Sequence, residues 1–428
     1  MTLSFNKNNM KEDTMNTCLF VGIDTHKGSH TAAVIDSYFN TLCIITFANS
    51  YSGFDKLMEK ISSVAGSRSI TFGLEDSQGL GFFLADYLVQ KGFSPMDVNP
   101  IYTDRARKAT IHRDHSDAGD AVLIAKALIR ERDKLSPVKI DKVSIEIREM
   151  VRYRQMLVEE STKLKNRLHC LLFSQYMGVT SVFSDLFSKG ALAFFKKYPD
   201  PHLLKGVEED TLATFLKANS KGRHGIKKAR AILSHLPISI DRNLSDTRAY
   251  IIASHIKRFT DLRKELASAE ERIKALVEKS SYVCLISIPG IESVTAAKII
   301  SQVIDISRFS SASKLAKFVG IAPREKSSGR KKKFEKSKYG KKFLRSTIYF
   351  MVLTHISRTR NGNDINPVSR AYYLKKIAEG KTKKEAITCL SRRLIDLIYA
   401  VMRDRSIYNF SKSKFLVQHT QILDTVAG

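Results

Sequence analysis

The stretch that decides the fold is CLFVGIDTHK, residues 18–27, an apolar run that ends in the acid Asp24. A second apolar run, SITFGLE at residues 69–75, ends in Glu75 in the same way. Short runs rich in β-branched and aromatic residues are typical of buried strands, so both acids are predicted to lie at strand ends.

The segments around these two strands complete an α/β order. Two more β-rich runs, TAAVID and TLCIITF, follow the first strand, and helical spacing appears in residues 53–64 and 80–92, before and after the second. A short strand is expected in SPMDVNP, residues 94–100. Three strands, helix, strand, helix, strand is the order of a ribonuclease-H-like domain. We assign that domain to residues 18–135, after a flexible tail at 1–17.

Two more acids open a predicted helix, SDAGDAVLIAKAL, which starts at Ser116. Asp117 and Asp120 are three residues apart and therefore share one face of that helix. In a ribonuclease-H-like fold this face meets the strand ends that carry Asp24 and Glu75. Crowded carboxylates are the ligands that Mg²⁺ or Mn²⁺ requires for phosphodiester chemistry, so the four acids predict a catalytic site that holds two metal ions.

A purely structural interpretation of these acids stays open. Ser116 and the first-turn aspartates also fit ordinary helix capping and interaction with the helix dipole, and acids are common at the ends of strands. Asp76 and Asp114 are alternatives to Glu75 and Asp117. His26 and two further histidines, His112 and His115, lie near the acids in sequence, and we expect them to be basic decoration of a nucleic-acid groove that faces solvent.

Charge points to a polyanionic partner. The 428 residues include 71 Lys and Arg against 43 Asp and Glu, a formal net charge of +28. Such a surplus favours nucleic acid, and no apolar run reaches the length of a membrane span. The five scattered cysteines and the polar N-terminal residues fit a reducing cytoplasm.

The rest of the chain is predicted to be mostly helical. Long charged segments with helical spacing at residues 144–176 and 248–280 suggest an antiparallel coiled-coil arm over 136–280, with an insert at about 177–244. Residues 281–428 form a C-terminal, mostly α domain.

Two features of the C-terminal domain suggest phosphate contacts. Ile288-Pro289-Gly290-Ile291 resembles a helix-hairpin-helix element, which offers backbone N–H groups to a phosphate, although Glu292 stands where a second glycine is usual. A basic turn-rich segment surrounds Ser328. From spacing alone most such loops are flexible basic linkers without a catalytic role, so the residues by themselves do not assign one to this serine. The candidate nucleic-acid-binding residues are Gly290, Lys326, Arg330, Lys331, Lys332, Lys333 and Arg345.

Seven motifs occur in the order found in one known family: VGIDTHK, LEDSQG, VNP, SDAGDAVLIAKAL, IPGIESVTAAKII, FVGIAPREKSSG and YGKKFLRS. In this respect the chain resembles the DEDD transposases of the insertion-sequence 110 group, which are relatives of the Piv/MooV-type recombinases. The resemblance runs from about Leu19 to about Tyr408. It departs from the family pattern in DSQG after Glu75, in AG between the two aspartates and at Glu292.

The resemblance implies a set of roles. Asp24, Glu75, Asp117 and Asp120 would be the metal ligands, and Ser328 would be the nucleophile that forms a covalent phosphoserine with DNA. It also implies a RuvC-like domain, a coiled-coil arm and a C-terminal transposase domain. The partners implied are double-stranded DNA, a structured bridge RNA and further copies of the chain, as a dimer or tetramer.

The sequence therefore predicts a site-specific DNA recombinase or transposase of a mobile element in the cytoplasm of a bacterium or archaeon, associated with the nucleoid. Three rival hypotheses stay open. They are a DNA invertase of the same family, a RuvC-like nuclease that activates water, and a nucleic-acid-binding scaffold without chemistry.

Overall fold

A computed structural model describes residues 18–77, 79–108, 116–176, 178–235, 241–322, 324–328, 331–335 and 340–408. The chain forms two compact units. One holds the chain up to Ile145 together with Asp305–Ser310, and the other holds Glu146–Ile304 and the chain from Ser311 onward. The N-terminal tail expected at residues 1–17 lies outside the described residues.

A six-stranded sheet organises the first unit. Its strands are β1 Cys18–Thr25, β2 Ser29–Ile35, β3 Thr41–Ala48, β4 Ser69–Leu74, β5 Met96–Asp97 and β6 Ser136–Pro137, in the spatial order β3-β2-β1-β4-β5-β6. The first three strands pair antiparallel, and β4 runs parallel to β1. The predicted mixed α/β order is confirmed, because each predicted strand lies where the pattern placed it. The four helices of this unit are α1 Tyr51–Ala65, α2 Phe82–Gln90, α3 Pro100–Lys108 and α4 Asp117–Arg130.

The two faces of β1 contact different cores. Leu19, Val21 and Ile23 share one core with residues of α1 and α2. Phe20 packs in a second core that includes Ile124 of α4. Since side chains alternate along a strand, even-numbered positions of β1 face α4.

Two glycines let α4 lie close against the sheet. Gly22 of β1 and Gly73 of β4 are partners in the strand register, and both lie beneath this helix. Asp24 and Glu75 each follow one of these glycines by two residues, so the pleat directs both acids toward the helix side of the sheet. The strand pattern therefore brings the two strand-end acids side by side.

The second unit is mostly helical. Helix α5 Lys142–Gln175 crosses the boundary and belongs to this unit from Glu146 onward. The helices that follow are α6 Val179–Val182, α7 Lys189–Lys197, α8 Glu209–Asn219, α9 Ile226–Ser234, α10 Arg242–Lys279, α11 Ser293–Val303, α12 Ala312–Val319, α13 Lys342–Ile356, α14 Pro367–Ala378 and α15 Lys383–Asp404. A two-stranded antiparallel hairpin joins β7 Arg324–Ser328 to β8 Lys331–Glu335. Within the described part of the chain, no helix is apolar and long enough to span a membrane.

The long helices α5 and α10 lie antiparallel. Arg154 donates to Glu270 at 2.6 Å, and near the other end the Gln175 amide donates to the Ser245 hydroxyl at 2.9 Å. The shorter helices that follow α5 and precede α10 in the chain pack with these two helices around a buried aromatic cluster that includes Tyr176. The segment expected as an insert is therefore a packed helical core.

Candidate metal centre

Asp24 is buried at the C-terminal end of β1, where its residue is 8% exposed. Burial raises the pKa of its carboxyl group, the neighbouring His26 lowers that pKa, and the charges of Asp120 and Asp117 raise it. Since Coulomb interactions weaken with distance, these influences mean that the three carboxylates lie within one another's field. A cation bound among the carboxylates would offset both the free-energy cost of burying a charged Asp24 and the repulsion between the three negative charges.

The first turn of α4 supplies two of the acids. Ser116 precedes the helix, and its hydroxyl accepts a hydrogen bond from the Gly119 N–H at 3.1 Å. The serine therefore caps the helix, as its position predicted. Asp117 and Asp120 do not have to perform that role.

His26 lies between two of the acids. Its Nε2 is 3.0 Å from Asp24 Oδ2 and 3.3 Å from Asp117 Oδ1. One ligand atom from each of these three residues lies within 4.8 Å of the others. His26 was expected to be solvent-facing decoration of a groove; its side chain is half-exposed, and its ring also contacts two of the acids. The turn after β1 directs it back over the strand end.

Helix α3 holds the other two acids in place. Thr103 Oγ1 donates a hydrogen bond to Glu75 Oε1, and Arg107 Nη2 donates to Asp120 Oδ1 at 2.7 Å. Burial raises the pKa of Glu75, the Thr103 hydroxyl lowers it, the charges of Asp24 and Asp120 raise it, and Arg107 lowers it. The fourth carboxylate thus belongs to the same electrostatic cluster.

The sequence alternatives to these acids have different positions. Asp76 Oδ2 accepts the Leu80 N–H at 2.9 Å and so holds the loop that follows β4. Asp114, His112 and His115 lie outside the described residues.

The donor set fits a divalent cation. Asp24, Glu75, Asp117 and Asp120 offer carboxylate oxygens, the hard ligands that Mg²⁺ and Mn²⁺ bind. The raised pKa values of Asp24 and Glu75 show that their negative charges are under-compensated. The four acids are the residues that could hold a metal. Asp24 lies on β1, Asp117 and Asp120 lie on α4, and Glu75 lies directly after β4.

Sequence reasoning missed the two residues that orient the acids. Thr103 and Arg107 are four residues apart on α3, and this spacing places them on one face of a helix. That face was detectable from the helical spacing. The residues that this face contacts could not be predicted, because Glu75 and Asp120 lie elsewhere in the chain.

A basic cleft lies between α3 and α4. It has a volume of about 210 Å³, and its lining includes Tyr102, the cations Arg105, Lys126 and Arg130, and one acid, Glu131. The Arg130 guanidinium also lies over the Phe39 ring, 5.2 Å from its centroid. Cations interleaved with aromatic rings are typical of nucleic-acid contacts. Helix α4 therefore carries two of the acids in its first turn and contributes Lys126 and Arg130 to the cleft further along.

Ser328 is the last residue of β7, and its backbone pairs with Lys331 of β8. The prediction of a loop at this serine is wrong in that respect, because five pairs of residues join the two strands. The basic strands lack the apolar alternation that marks a buried strand, so their pairing left no signal in the sequence. Lys326, Lys332 and Lys333 lie in the same hairpin, whereas Arg330 lies outside the described residues. Arg345 is half-buried in the first turn of α13.

Gly290 adopts a left-handed backbone with φ of 89°. A Cβ atom at this position would lie 2.9 Å from Cδ2 of the buried His355. Glu292 is the N-cap residue of α11, and its side chain makes no capping hydrogen bond. The hairpin thus precedes a helix, as its sequence predicted, and its phosphate-binding role stays a prediction.

Two family models match this chain. The DEDD transposase model of the IS110 group, described as Transposase, matches residues 21–177, and the model described as Transposase IS116/IS110/IS902 family matches residues 283–374. The chain belongs to the IS110 family of transposases. The predicted family is confirmed. In this transposase the first match spans all four acids, and the second spans Ser328.

Curated relatives resemble the transposase over nearly its whole length. The uncharacterized 44.8 kDa protein of insertion element IS116 from Streptomyces clavuligerus is 26% identical over 91% of this chain and 96% of its own. The 43.6 kDa protein of insertion element IS110 from Streptomyces coelicolor is 23% identical over 92% and 96%. The pilin gene-inverting protein of Moraxella bovis is 23% identical over 90% and 95%. The chain is thus an enzyme of DNA transposition and recombination.

Proposed function

We propose that this transposase is the site-specific recombinase of a mobile element, which it excises and inserts by metal-assisted attack of Ser328 on DNA. The observation that carries the proposal is the convergence of four carboxylates, Asp24, Glu75, Asp117 and Asp120, at one edge of the sheet. Carboxylates gathered at one place, two of them with raised pKa values, are suited to cations and, through them, to phosphodiesters.

Two of the four acids are held by side chains of α3. Thr103 fixes the Glu75 carboxylate and Arg107 fixes that of Asp120, so neither has to be reoriented for the reaction. When bound, Mg²⁺, as two ions, would neutralise the phosphate charge and lower the pKa of an attacking hydroxyl. The contribution of the chain is a rigid set of oxygen ligands.

Ser328 would replace one P–O bond of the DNA by a P–O bond to its own Oγ. The released strand end leaves as an alkoxide and takes up a proton, which balances the proton that the serine hydroxyl loses. The basic hairpin around the serine supports this assignment, because cations attract the phosphodiester and stabilise the charge of its transition state. The proposed phosphate contacts are Lys326, Arg330, Lys331, Lys332, Lys333, Arg345 and the backbone at Gly290.

The α3–α4 cleft supports an approach path for the DNA strand. Lys126 and Arg130 are one helical turn apart on the helix that carries Asp120. With a rise of about 1.5 Å per residue, they lie roughly 9 and 15 Å along the helix from that acid. Phosphates of a strand that enters the acidic site would lie within reach of both cations.

The domain roles rest on the family resemblance. We propose a catalytic domain at 18–135, a coiled-coil arm with an insert at 136–280, and a transposase domain at 281–428. We further propose a bridge RNA that pairs donor with target, assembly as a dimer or tetramer, and action at the nucleoid in the cytoplasm. The net charge of +28 suits both nucleic acids.

A covalent-trapping experiment tests the mechanism. The full chain is incubated with Mg²⁺, labelled DNA that spans the element's junction and RNA transcribed from its flank, and is then denatured. We expect a labelled protein band that disappears in Ser328→Ala and in Asp120→Asn, while the control Asp86→Asn, at a half-exposed acid of α2, retains it. Cut DNA without a protein adduct would show a nuclease that uses water. Neither product, with junction and RNA present, would favour a scaffold.

A DNA invertase is the second candidate, because the pilin gene-inverting protein of Moraxella bovis aligns over 95% of its length. Substrates that carry two junction sites in direct or in inverted orientation separate the two functions. A transposase removes the segment between its ends from the DNA, whereas an invertase reverses the segment between inverted sites.

A further inference from the structure

His26 is a nitrogen donor placed among the acids. Its Nε2 lies 3.0 Å from Asp24 Oδ2 and 3.3 Å from Asp117 Oδ1. Ligand atoms of a six-coordinate ion with bonds of about 2.1 Å are about 3 Å apart, so these separations match neighbouring positions on one ion. The His26 side chain is 48% exposed, which leaves space beside the ring.

The neighbouring strand holds His26 in this position. The backbone N–H of His26 donates to Nδ1 of His30 at 3.2 Å. His30 is fully buried on β2, stacks on Phe54 and meets Phe47 edge-on. A ring packed on both sides cannot move away from this hydrogen bond, so the turn that carries His26 is fixed relative to the sheet.

We propose that His26 Nε2 is a ligand, together with Asp24 and Asp117, of one metal ion in the acidic centre. This inference rests on the proposed function, since it requires that the acids bind metal. It adds an imidazole to a site otherwise made of oxygen ligands. Imidazole nitrogen is a better ligand for Mn²⁺ than for Mg²⁺, which strongly prefers oxygen. The centre therefore favours Mn²⁺ more than four carboxylates alone would.

A simple ion pair is the competing explanation of the same distances. A protonated imidazole between two carboxylates would also lie about 3 Å from each. The two explanations differ in what a metal does to the ring. A ligand stays in place with its nitrogen on the metal, whereas a counter-ion is displaced by the cation that replaces it.

Electron paramagnetic resonance of the Mn²⁺-loaded full chain distinguishes them. We expect pulsed spectra to show coupling of the Mn²⁺ electron spin to a ¹⁴N nucleus. His26→Gln removes this coupling and weakens Mn²⁺ binding roughly tenfold, while Mg²⁺ affinity, measured by competition, changes less. Thermal melting of the metal-free variant, with His26→Asn as a second replacement, shows that the fold is retained.

A matched control is available at another histidine–carboxylate pair. His202 Nδ1 lies 2.8 Å from Asp200 Oδ1, and its side chain is 38% exposed. His202→Gln is expected to leave both the coupling and the affinities unchanged. Nitrogen coupling that persists in His26→Gln, or equal losses of Mn²⁺ and Mg²⁺ affinity, would overturn the assignment.

Asp24→Asn distinguishes a failure of the His26 assignment from a failure of the metal centre itself. If it abolishes Mn²⁺ binding while His26→Gln has no effect, the acidic centre binds metal and only the role of His26 is wrong. If Asp24→Asn leaves Mn²⁺ binding unchanged, the metal centre of the proposed function is wrong as well.

Discussion

A Cβ atom on Gly22 would lie 2.1 Å from the backbone nitrogen of Ala125. Helix α4 therefore packs directly on the backbone of β1, closer than any side chain on the strand would permit. This contact fixes the height of the helix above the sheet. Because Asp24 lies two residues beyond Gly22 and Asp120 lies at the start of the same helix, it also fixes the separation of the acids.

Gly22→Ala is expected to displace α4 and with it Asp117 and Asp120. The new methyl group would meet helix backbone, which cannot rotate away, so we expect a loss of about 3 kcal/mol in the free energy of unfolding. A displacement of about 1 Å at the acids would lower DNA cleavage by about 100-fold. Thermal melting and the adduct assay measure the two effects.

Gly28→Ala is the matched control for this substitution. Gly28 lies in the same stretch of sequence, and a Cβ atom there would meet nothing within 4 Å. It should melt and react like the unchanged protein. A Gly22→Ala protein with normal melting and cleavage would show that this contact does not position the acids.

Replacing Lys126 and Arg130 together by Gln should weaken DNA binding and reduce its dependence on salt. Each phosphate contact contributes about 0.9 to the slope of log K against log salt, so the slope should become shallower by about 2. Binding titrations at several salt concentrations measure it.

Lys56 and Lys60 provide the control, since they have the same spacing on α1. That helix packs on the opposite face of the sheet. Their double replacement by Gln should leave the slope nearly unchanged. Equal effects of the two double variants would mean that the cleft contributes only to the overall charge.

Gly290→Ala should destabilise the second unit by about 2 to 3 kcal/mol. It would force a left-handed backbone on alanine and place a methyl group against the buried His355. Gly380→Ala has a similar φ of 84° but nothing within 4 Å, so it isolates the backbone effect of about 1 kcal/mol. Urea unfolding compares them, and equal losses would show that contact with His355 contributes nothing.

Stability should fall in mild acid because of His355. Burial lowers the pKa of this imidazole to about 4, against an ordinary value of 6.5. Between these values the unfolded chain binds a proton that the folded chain does not, so stability present above pH 6.5 is lost as pH falls. From pH 7 to pH 5 the loss at this residue is about 2 kcal/mol.

His355→Gln removes this titration while the other titrating groups remain. The unfolding free energy of the variant should therefore change less between pH 7 and pH 5, by about 2 kcal/mol. Parallel pH profiles for the two proteins would contradict the assignment of this pH dependence to His355.

The sequence alone predicted five of the six strands of the sheet, their order along the chain and the acids Asp24 and Glu75 at two strand ends, but not the two-residue strand β6. Short continuous apolar runs are typical of buried strands, and a three-residue spacing places Asp117 and Asp120 on one helix face, so local physics was sufficient for these features. The family was also predictable, because seven ordered motifs survive in the linear chain. The two strands around Ser328 were not, since their basic residues lack that periodicity.

Only the tertiary structure decided what the acids contact. Thr103 and Arg107 reach Glu75 and Asp120 across 28 and 13 residues, and His26 reaches Asp117 from another element. The contact of Gly22 with Ala125 likewise could not be predicted from the sequence. A glycine in a strand predicts that another element approaches the backbone closely, but it does not identify that element. Periodicity specifies the direction of a side chain from its own backbone, whereas its partner depends on how distant segments pack together.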